Sequence, residues 1–432
     1  MSEHPIDRDQ IQRDGSLPRG GDFSRRSFVG ALGAVAAGGI LAACAGDDDA
    51  DTVSVDTAAS SEVDTAASSE VDTAASSDES GEGATPTTGS ADLDEALQAS
   101  DLPEIEWDMA TSWPIVLDTI YGGAVYFGER VAALTGGRFK INAAPGGELV
   151  PPLEVLQSVQ TGAVASGHSA SYYYTGIDPI TQFSTCLPFG MSARGHISWM
   201  TQGGGLELIQ AAHRERFGVV TIPAGNTGCQ MGGWFNKEIK SVADLGGLRM
   251  RIPGMGGQAL ETLGVSVQVI PGGEIYQSLE SGAIDGAEWV GPYDDLKQEF
   301  NKVTDFYYFP GWWEPGPSLD VMFPADEYDG LPEEYRAVLQ SAAADSYTQM
   351  LAKYDTLNPP ALQTIIDSGI TILPYPDDVL EAAEAAVQEI LEANAAADAG
   401  YKEILDSYRA YQAQLTPWFG LAEKSMLDFL TK

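Results

Sequence analysis

The chain is short of positive charge. Its 432 residues include 23 Lys and Arg against 63 Asp and Glu, for a net charge of −40 at pH 7. That balance excludes nucleic acid as a natural partner, because phosphate neutralisation needs a basic face. Histidine and cysteine are also scarce, with four and three residues. No Cys/His spacing of a zinc site occurs, and no nucleophile elbow or P-loop. The adjacent carboxylates Asp294-Asp295 are a poor glycosidase signal, because neighbouring residues on a strand or helix point apart. Long hydrophobic runs are missing too. The apolar run Phe28 to Ala43 is interrupted by Gly30, Gly33, Gly38 and Gly39. It falls short of the ~20 predominantly apolar residues that span a bilayer.

What precedes and follows that run gives it a different meaning. Ser24-Arg25-Arg26-Ser27-Phe28 forms a twin-arginine export signal. Leu41-Ala42-Ala43-Cys44 resembles a bacterial lipobox, in which the cysteine is lipidated and becomes the mature N-terminus. Residues 1–44 are therefore expected to be a signal peptide with Cys44 as the lipidation site, an uncleaved anchor being the competing reading. Either way the bulk of the chain lies outside the cytoplasm, in the periplasm or on the outer face of the cytoplasmic membrane. Residues 45–100 hold no Lys or Arg and fifteen Asp or Glu. Within them Val55-Asp56-Thr57-Ala58-Ala59-Ser60-Ser61-Glu62 recurs from Val63 and, ending in Asp78, from Val71. So few large apolar side chains cannot offset the entropy of ordering, so a disordered tether extended by self-repulsion is expected.

Residues 101–432 are long enough for a substantial core in two lobes. They carry 43 acidic and 18 basic side chains, a net of −25, which keeps a protein soluble in a saline medium. Cys186 and Cys229 remain after Cys44, either as a pair or as two buried thiols. Segments with strand character alternate with helical ones. Strands are expected at 105–110, 138–143, 163–170, 219–223, 248–252, 265–270 and 283–290. Helices are expected at 118–134, 153–160, 257–263 and 275–280. This alternation gives an α/β class with largely parallel sheets. One unit occurs twice. Gln157, Ser158, Gly162 and Ala163 align without a gap with Gln277, Ser278, Gly282 and Ala283. Two related helix–glycine–strand units imply two lobes, each delivering a strand end to a cleft. Residues 377–415 lack strand character and read as long helices, with Val379, Leu380, Ala383, Ala386, Val387, Ile390 and Leu391 on one face.

Four motifs carry a family resemblance. They are Gly225-Asn226-Thr227-Gly228-Cys229-Gln230-Met231-Gly232-Gly233-Trp234-Phe235, Leu248-Arg249-Met250-Arg251-Ile252-Pro253-Gly254, Ile284-Asp285-Gly286-Ala287-Glu288-Trp289-Val290-Gly291-Pro292-Tyr293-Asp294-Asp295 and Tyr308-Phe309-Pro310-Gly311-Trp312. Together, and in this order, they resemble the extracytoplasmic solute receptors of TRAP transporters, the DctP family. They are most similar to its branch for 2-oxo and 2-hydroxy monocarboxylates such as pyruvate or lactate. The resemblance implies a non-enzymatic, two-lobed periplasmic-binding-protein-like fold. It also implies closure on a small carboxylate, delivery to a TRAP permease and, in many relatives, a homodimer.

A guanidinium fork matches a carboxylate with two parallel hydrogen bonds, which suits Arg251 to the acid. The resemblance assigns it that role, with Arg249 as a competitor. It likewise assigns a hard cation, Na⁺ or Ca²⁺, to the oxygens of Gln230, Glu288 and Trp289, donors of the type such ions require. The competing reading is a plain Arg251–Glu288 salt bridge without metal. Tyr172 and Tyr174 share one side of an extended strand and Tyr173 the other. Tyr174 is the expected contact to the ligand oxygen, with Asn226 adding an amide and Trp113 an apolar wall. One motif points elsewhere. Gly254-Met255-Gly256-Gly257-Gln258-Ala259 fits G-x-G-x-x-A, with Glu274 twenty residues on, as in an exported NAD(P)-dependent oxidoreductase.

Overall fold

Extended segments and helices form where hydrophobic periodicity places them, and they assemble around two sheets. The computed structural model describes residues 102–431. The expected signal peptide (1–44), the lipidation site Cys44 and the linker 45–100 lie outside the described residues. The first sheet contains β1 (Ile105–Thr111), β2 (Phe139–Ala144), β3 (Ser166–Ser169), β4 (Val219–Asn226) and β10 (Ser318–Pro324), in the order β2-β1-β3-β10-β4. The second contains β5 (Trp234–Phe235), β6 (Arg249–Arg251), β7 (Ser266–Gln268), β8 (Gly286–Ala287), β9 (Phe306–Phe309) and β11 (Thr371–Pro374), in the order β11-β9-β5-β8-β6-β7.

The expectation of largely parallel sheets is corrected here. β10 runs antiparallel between β3 and β4, and β5 runs antiparallel between β8 and β9. Each of these strands enters its sheet just after the chain has crossed from the other. The crossings at 227–233 and 310–317 lie beside the cleft. They contain Gln230 and Glu314.

The repeated unit is real in three dimensions. The helices Val155–Gln160 and Ile275–Glu280 both end on a left-handed glycine, Gly162 at φ 69° and Gly282 at φ 67°. The Ala163 amide then donates to Ser158 O at 2.9 Å, and the Ala283 amide to Ser278 O at 2.9 Å. Only a residue free of Cβ strain takes that conformation cheaply, so the glycine fixes how the chain turns from helix into strand. β3 and β8 therefore sit in equivalent central places, and their carboxyl ends open on the same cleft.

Helices clamp the two sheets together. Glu333–Asp367, 35 residues long with Pro359 and Pro360 inside it, packs on β4, on the helix Ile120–Leu134 and on the helix Pro292–Lys297. It covers β4, an edge strand buried along its whole length. The tail forms two long helices, as its composition indicates. Asp377–Ala397 buries Val379, Ala383, Ala386, Val387 and Leu391 against the helix Gly254–Thr262. Ala399–Phe419 buries Tyr401, Ile404, Leu405 and Tyr408 and packs on the helices Ala193–Gln202 and Gly205–Phe217 of the first lobe. Among the described residues no helix is long and apolar enough to cross a membrane.

Candidate functional site

Arg251 ends β6 and is fully buried, 1% exposed, although a guanidinium is among the groups most expensive to remove from water. Its partners compensate. Nε donates to Ile270 O at 3.0 Å, and Nη1 donates to Glu288 O at 3.1 Å and to the Glu288 carboxylate. The Trp289 ring lies 5.3 Å from Cζ, and Tyr173 sits beside the guanidinium. Burial opposes the charge on Arg251, but Glu288 and the neighbouring tyrosines outweigh it and raise the pKa above its ordinary value. Arg249, two residues earlier, is instead half-exposed and occupied by Asp285, with Nη2 to Oδ1 at 2.6 Å and Nε to Oδ2 at 3.0 Å. That removes it from competition for a ligand.

The Arg251–Glu288 ion pair is therefore present, but it does not exhaust either partner. Among the described residues Arg251 Nη2, Glu288 Oε2, Gln230 Oε1 and Glu314 Oε2 are buried and make no conventional hydrogen bond, although Tyr173 lies beside Arg251 and the Glu288 and Glu314 carboxyls are close enough to share a proton. Among the described residues no hydrogen bond ends on the Trp289 carbonyl, whereas the flanking carbonyls of Glu288 and Val290 are both used. Buried polar atoms are rarely left unsatisfied, and several in one place call for a ligand. Four of these five are oxygens and the fifth is a guanidinium N–H, a donor set that fits a hard cation beside a carboxylate. Among the described residues no group of three or more His, Cys, Asp and Glu side chains is placed to hold a metal ion, so any cation here would draw on amide and backbone oxygens as well.

Sequence reasoning missed Glu314. It is buried, lies within hydrogen-bonding reach of Glu288 and Tyr172, and its burial pushes its pKa up to about 7. Burial and the charge of Glu314 together push Glu288 well above the usual carboxylate range, against the pull of Arg251. Glu314 reaches the site because the Gln230 amide donates to Glu314 O at 3.1 Å and the Gly311 amide to Gln230 O at 2.9 Å. That pairing joins segments about eighty residues apart, so no local pattern reveals it.

Gln230, Trp289, Trp113, Tyr172 and Tyr173 line one small cavity of about 10 Å³, closed by Ile120, Val290 and Leu319. Tyr174 does not join them. Its hydroxyl donates to Ser169 Oγ at 2.9 Å and accepts the Leu156 amide at 3.2 Å, so it serves the core of the first lobe. Alternation fails because Ser171–Tyr174 is a 3₁₀ turn rather than a strand. Asn226 is likewise consumed. Its amide donates to Gly316 O at 3.0 Å and Tyr347 OH at 2.8 Å, and its oxygen accepts the Gly228 amide at 2.8 Å. Trp113 lines the cavity, its indole donating to His168 Nδ1 at 2.8 Å. Cys186 and Cys229 are both free.

The glycine-rich motif opens the helix Gly254–Thr262, but its glycines are used for packing. A Cβ on Gly256 would lie 2.6 Å from Trp313 Cβ, and one on Gly257 2.8 Å from Ile252 O. The Met255 amide, which a phosphate would need, already donates to Gln182 Oε1 at 3.1 Å. The dinucleotide reading is not favoured on that geometry.

Comparison with known proteins points the same way. The model of the DctP family, bacterial extracellular solute-binding protein family 7, matches residues 109–398. A monocarboxylate 2-oxoacid-binding periplasmic protein of Nostoc is 49% identical over 328 residues, covering 76% of this chain and 90% of its own. A TRAP transporter solute-binding protein of Bordetella bronchiseptica is 42% identical with a TM-score of 0.75, covering 76% of this chain and 97% of that one. Its crystals contain a dimer with copurified calcium and picolinate in one site and the other site empty. A TRAP periplasmic solute-binding protein of Pseudoalteromonas atlantica, with bound sodium and pyruvate, is 35% identical with a TM-score of 0.72, covering 75% of this chain and 99% of that one.

Proposed function

The chain belongs to the DctP family of bacterial extracellular solute-binding proteins, and from that membership we propose that it captures a small 2-oxo or 2-hydroxy monocarboxylate with a cation and delivers it to a TRAP permease. It is a receptor, not an enzyme. One observation carries the reading of the site. Among the described residues Gln230 Oε1, Glu288 Oε2 and the Trp289 carbonyl accept no conventional hydrogen bond, while the Glu288 carboxylate and the Trp289 ring lie against Arg251, whose Nη2 is not bonded to them. Gln230, Glu288 and Trp289 hold the cation, Na⁺ or Ca²⁺, and Glu314 stands close enough to add a further oxygen. The cation offsets the repulsion between these carboxylates and an incoming acid. Arg251 takes the acid's carboxylate, and Tyr172, Tyr173 and Trp113 enclose the rest of the molecule. Ligand and cation draw on residues of both lobes, so binding favours the closed arrangement.

Arg251 is the one fully buried Lys or Arg among the described residues. A second carboxylate on the ligand has no cation of its own to meet. Pyruvate should therefore bind at least tenfold more tightly than succinate in a calorimetric titration with CaCl₂ present. Native mass spectrometry of the purified protein should show a small acid and a cation together. A bound nucleotide, or equal affinity for succinate, would remove the reading.

Two further parts of the proposal concern where the receptor sits and with what. Cys44 anchors the chain to the outer face of the membrane through a lipid, with residues 45–100 as the tether. The C-terminal segment pairs two copies. Trp418, Leu421, Met426, Leu427, Phe429 and Leu430 are each 58–69% exposed near the C-terminal end, where residues 420–430 bury no side chain. Such a concentration of apolar surface is more than a solvated terminus needs. Light scattering of the mature protein should give a dimer, and truncation after Ala413 should give a monomer of poor solubility. A monomeric mature protein at micromolar concentration would rule the pairing out.

A further inference from the structure

The turn Glu288–Gly291 links β8 to the helix Pro292–Lys297 and carries two of the three oxygens assigned above to the cation. Its carbonyls are treated unequally. Glu288 O accepts from Arg251 Nη1 at 3.1 Å, and Val290 O accepts the Met231 amide at 3.1 Å, while the Trp289 carbonyl between them accepts no hydrogen bond among the described residues. The amide side of the same turn is held by one residue. Asp295 Oδ1 accepts the Val290 amide at 3.3 Å and the Gly291 amide at 3.2 Å.

The Val290 N–H and the Trp289 C=O are the two ends of one peptide unit. That unit is planar and trans, so its N–H and C=O point in opposite directions. Anchoring the N–H therefore sets the direction of the carbonyl. Asp295 is well placed to act as a fixed point. It is buried, and its other oxygen accepts Trp234 Nε1 at 2.8 Å and the Tyr307 hydroxyl at 2.6 Å. Those two rings stack at 3.9 Å between centroids. Its neighbour Asp294 faces away and bonds to Thr119 and Tyr354. Asp295 does not line the ligand cavity. We propose that Asp295 is a positioning residue that presets the Trp289 carbonyl as a cation ligand, acting through the peptide unit between them.

This proposal rests on the cation reading of the preceding section, and its test separates the two. The purified full chain is titrated with CaCl₂ alone, and with NaCl in parallel, alongside thermal melts. Asp295→Asn loses the charge and cannot accept on both sides, and should weaken cation binding roughly 10–100-fold, the usual cost of removing a group that orients a metal ligand. Tyr307→Phe removes a donor from the far oxygen only. It should lower the melting temperature and leave cation affinity within about threefold, well short of that cost. Equal losses in the two variants, or an Asp295→Asn protein with wild-type affinity, would overturn the positioning role. Should Asp295→Asn not fold, hydrogen exchange of the metal-stripped wild type decides. The Val290 and Gly291 amides should already be protected, and fast exchange until metal is added would overturn the role. A wild type that binds neither cation, or a Glu288→Gln variant with unchanged affinity, would instead overturn the cation reading and the proposal with it.

Discussion

Replacing Arg251 by alanine should weaken binding of a pyruvate-like acid by about thirtyfold or more. Truncating one partner of a buried, hydrogen-bonded charge pair costs ~2–5 kcal/mol, and each ~1.4 kcal/mol is tenfold in affinity. The variant should still fold, for a reason the site itself supplies. Burial and Glu314 already hold the Glu288 pKa well above the ordinary carboxylate range, so without the arginine Glu288 takes up a proton instead of standing as a lone buried charge. Arg251→Lys keeps the charge but loses the fork. It also loses the directed bonds to Ile270 O and Glu288 O, so its affinity should lie between those of alanine and wild type. Calorimetry on both variants is the check. Unchanged affinity in the alanine variant would remove Arg251 from the ligand.

Removing the cation should be about as damaging. Protein stripped by chelation and desalting should bind its acid weakly or not at all, and adding Ca²⁺ or Na⁺ should restore it. Glu288→Gln should weaken cation and acid together, since each offsets charge that the other brings. The pH dependence follows from the same carboxylates. Glu314 is held up to about 7 by burial, and Glu288 is raised as well. A proton on either one competes with the cation, so cation affinity should rise as pH increases through about 7, where Glu314 ionises. If stripped protein binds its acid with full affinity at every pH, the Arg251–Glu288 pair is a salt bridge and nothing more.

Local sequence determined a good deal of this protein. Helix and strand periodicity, with glycines at the helix ends, fixed the α/β class and the duplicated unit, because those signals lie within single turns and strands. The motifs around Gln230, Arg251 and Glu288 named residues that the fold buries, each with a spare polar atom. A guanidinium and hard oxygen donors announce their chemistry in any context.

What only the tertiary structure decided involves direction and long-range pairing. The 3₁₀ turn at Ser171–Tyr174 sends Tyr174 into the core and leaves Tyr172 and Tyr173 on the cavity, a difference of backbone dihedrals that three identical residues in a row cannot encode. Asn226 looked available and is spent on Gly316, Tyr347 and Gly228. The antiparallel strands β5 and β10 enter their sheets only because the chain crosses between lobes, and the same crossing brings Glu314 to Gln230. Asp295, in sequence one half of an acidic pair, gains its place from a four-residue gap that lets it reach back to the Val290 and Gly291 amides. Residue type set which atoms can bond, and the packing of the two lobes set which of them are left free to hold a ligand.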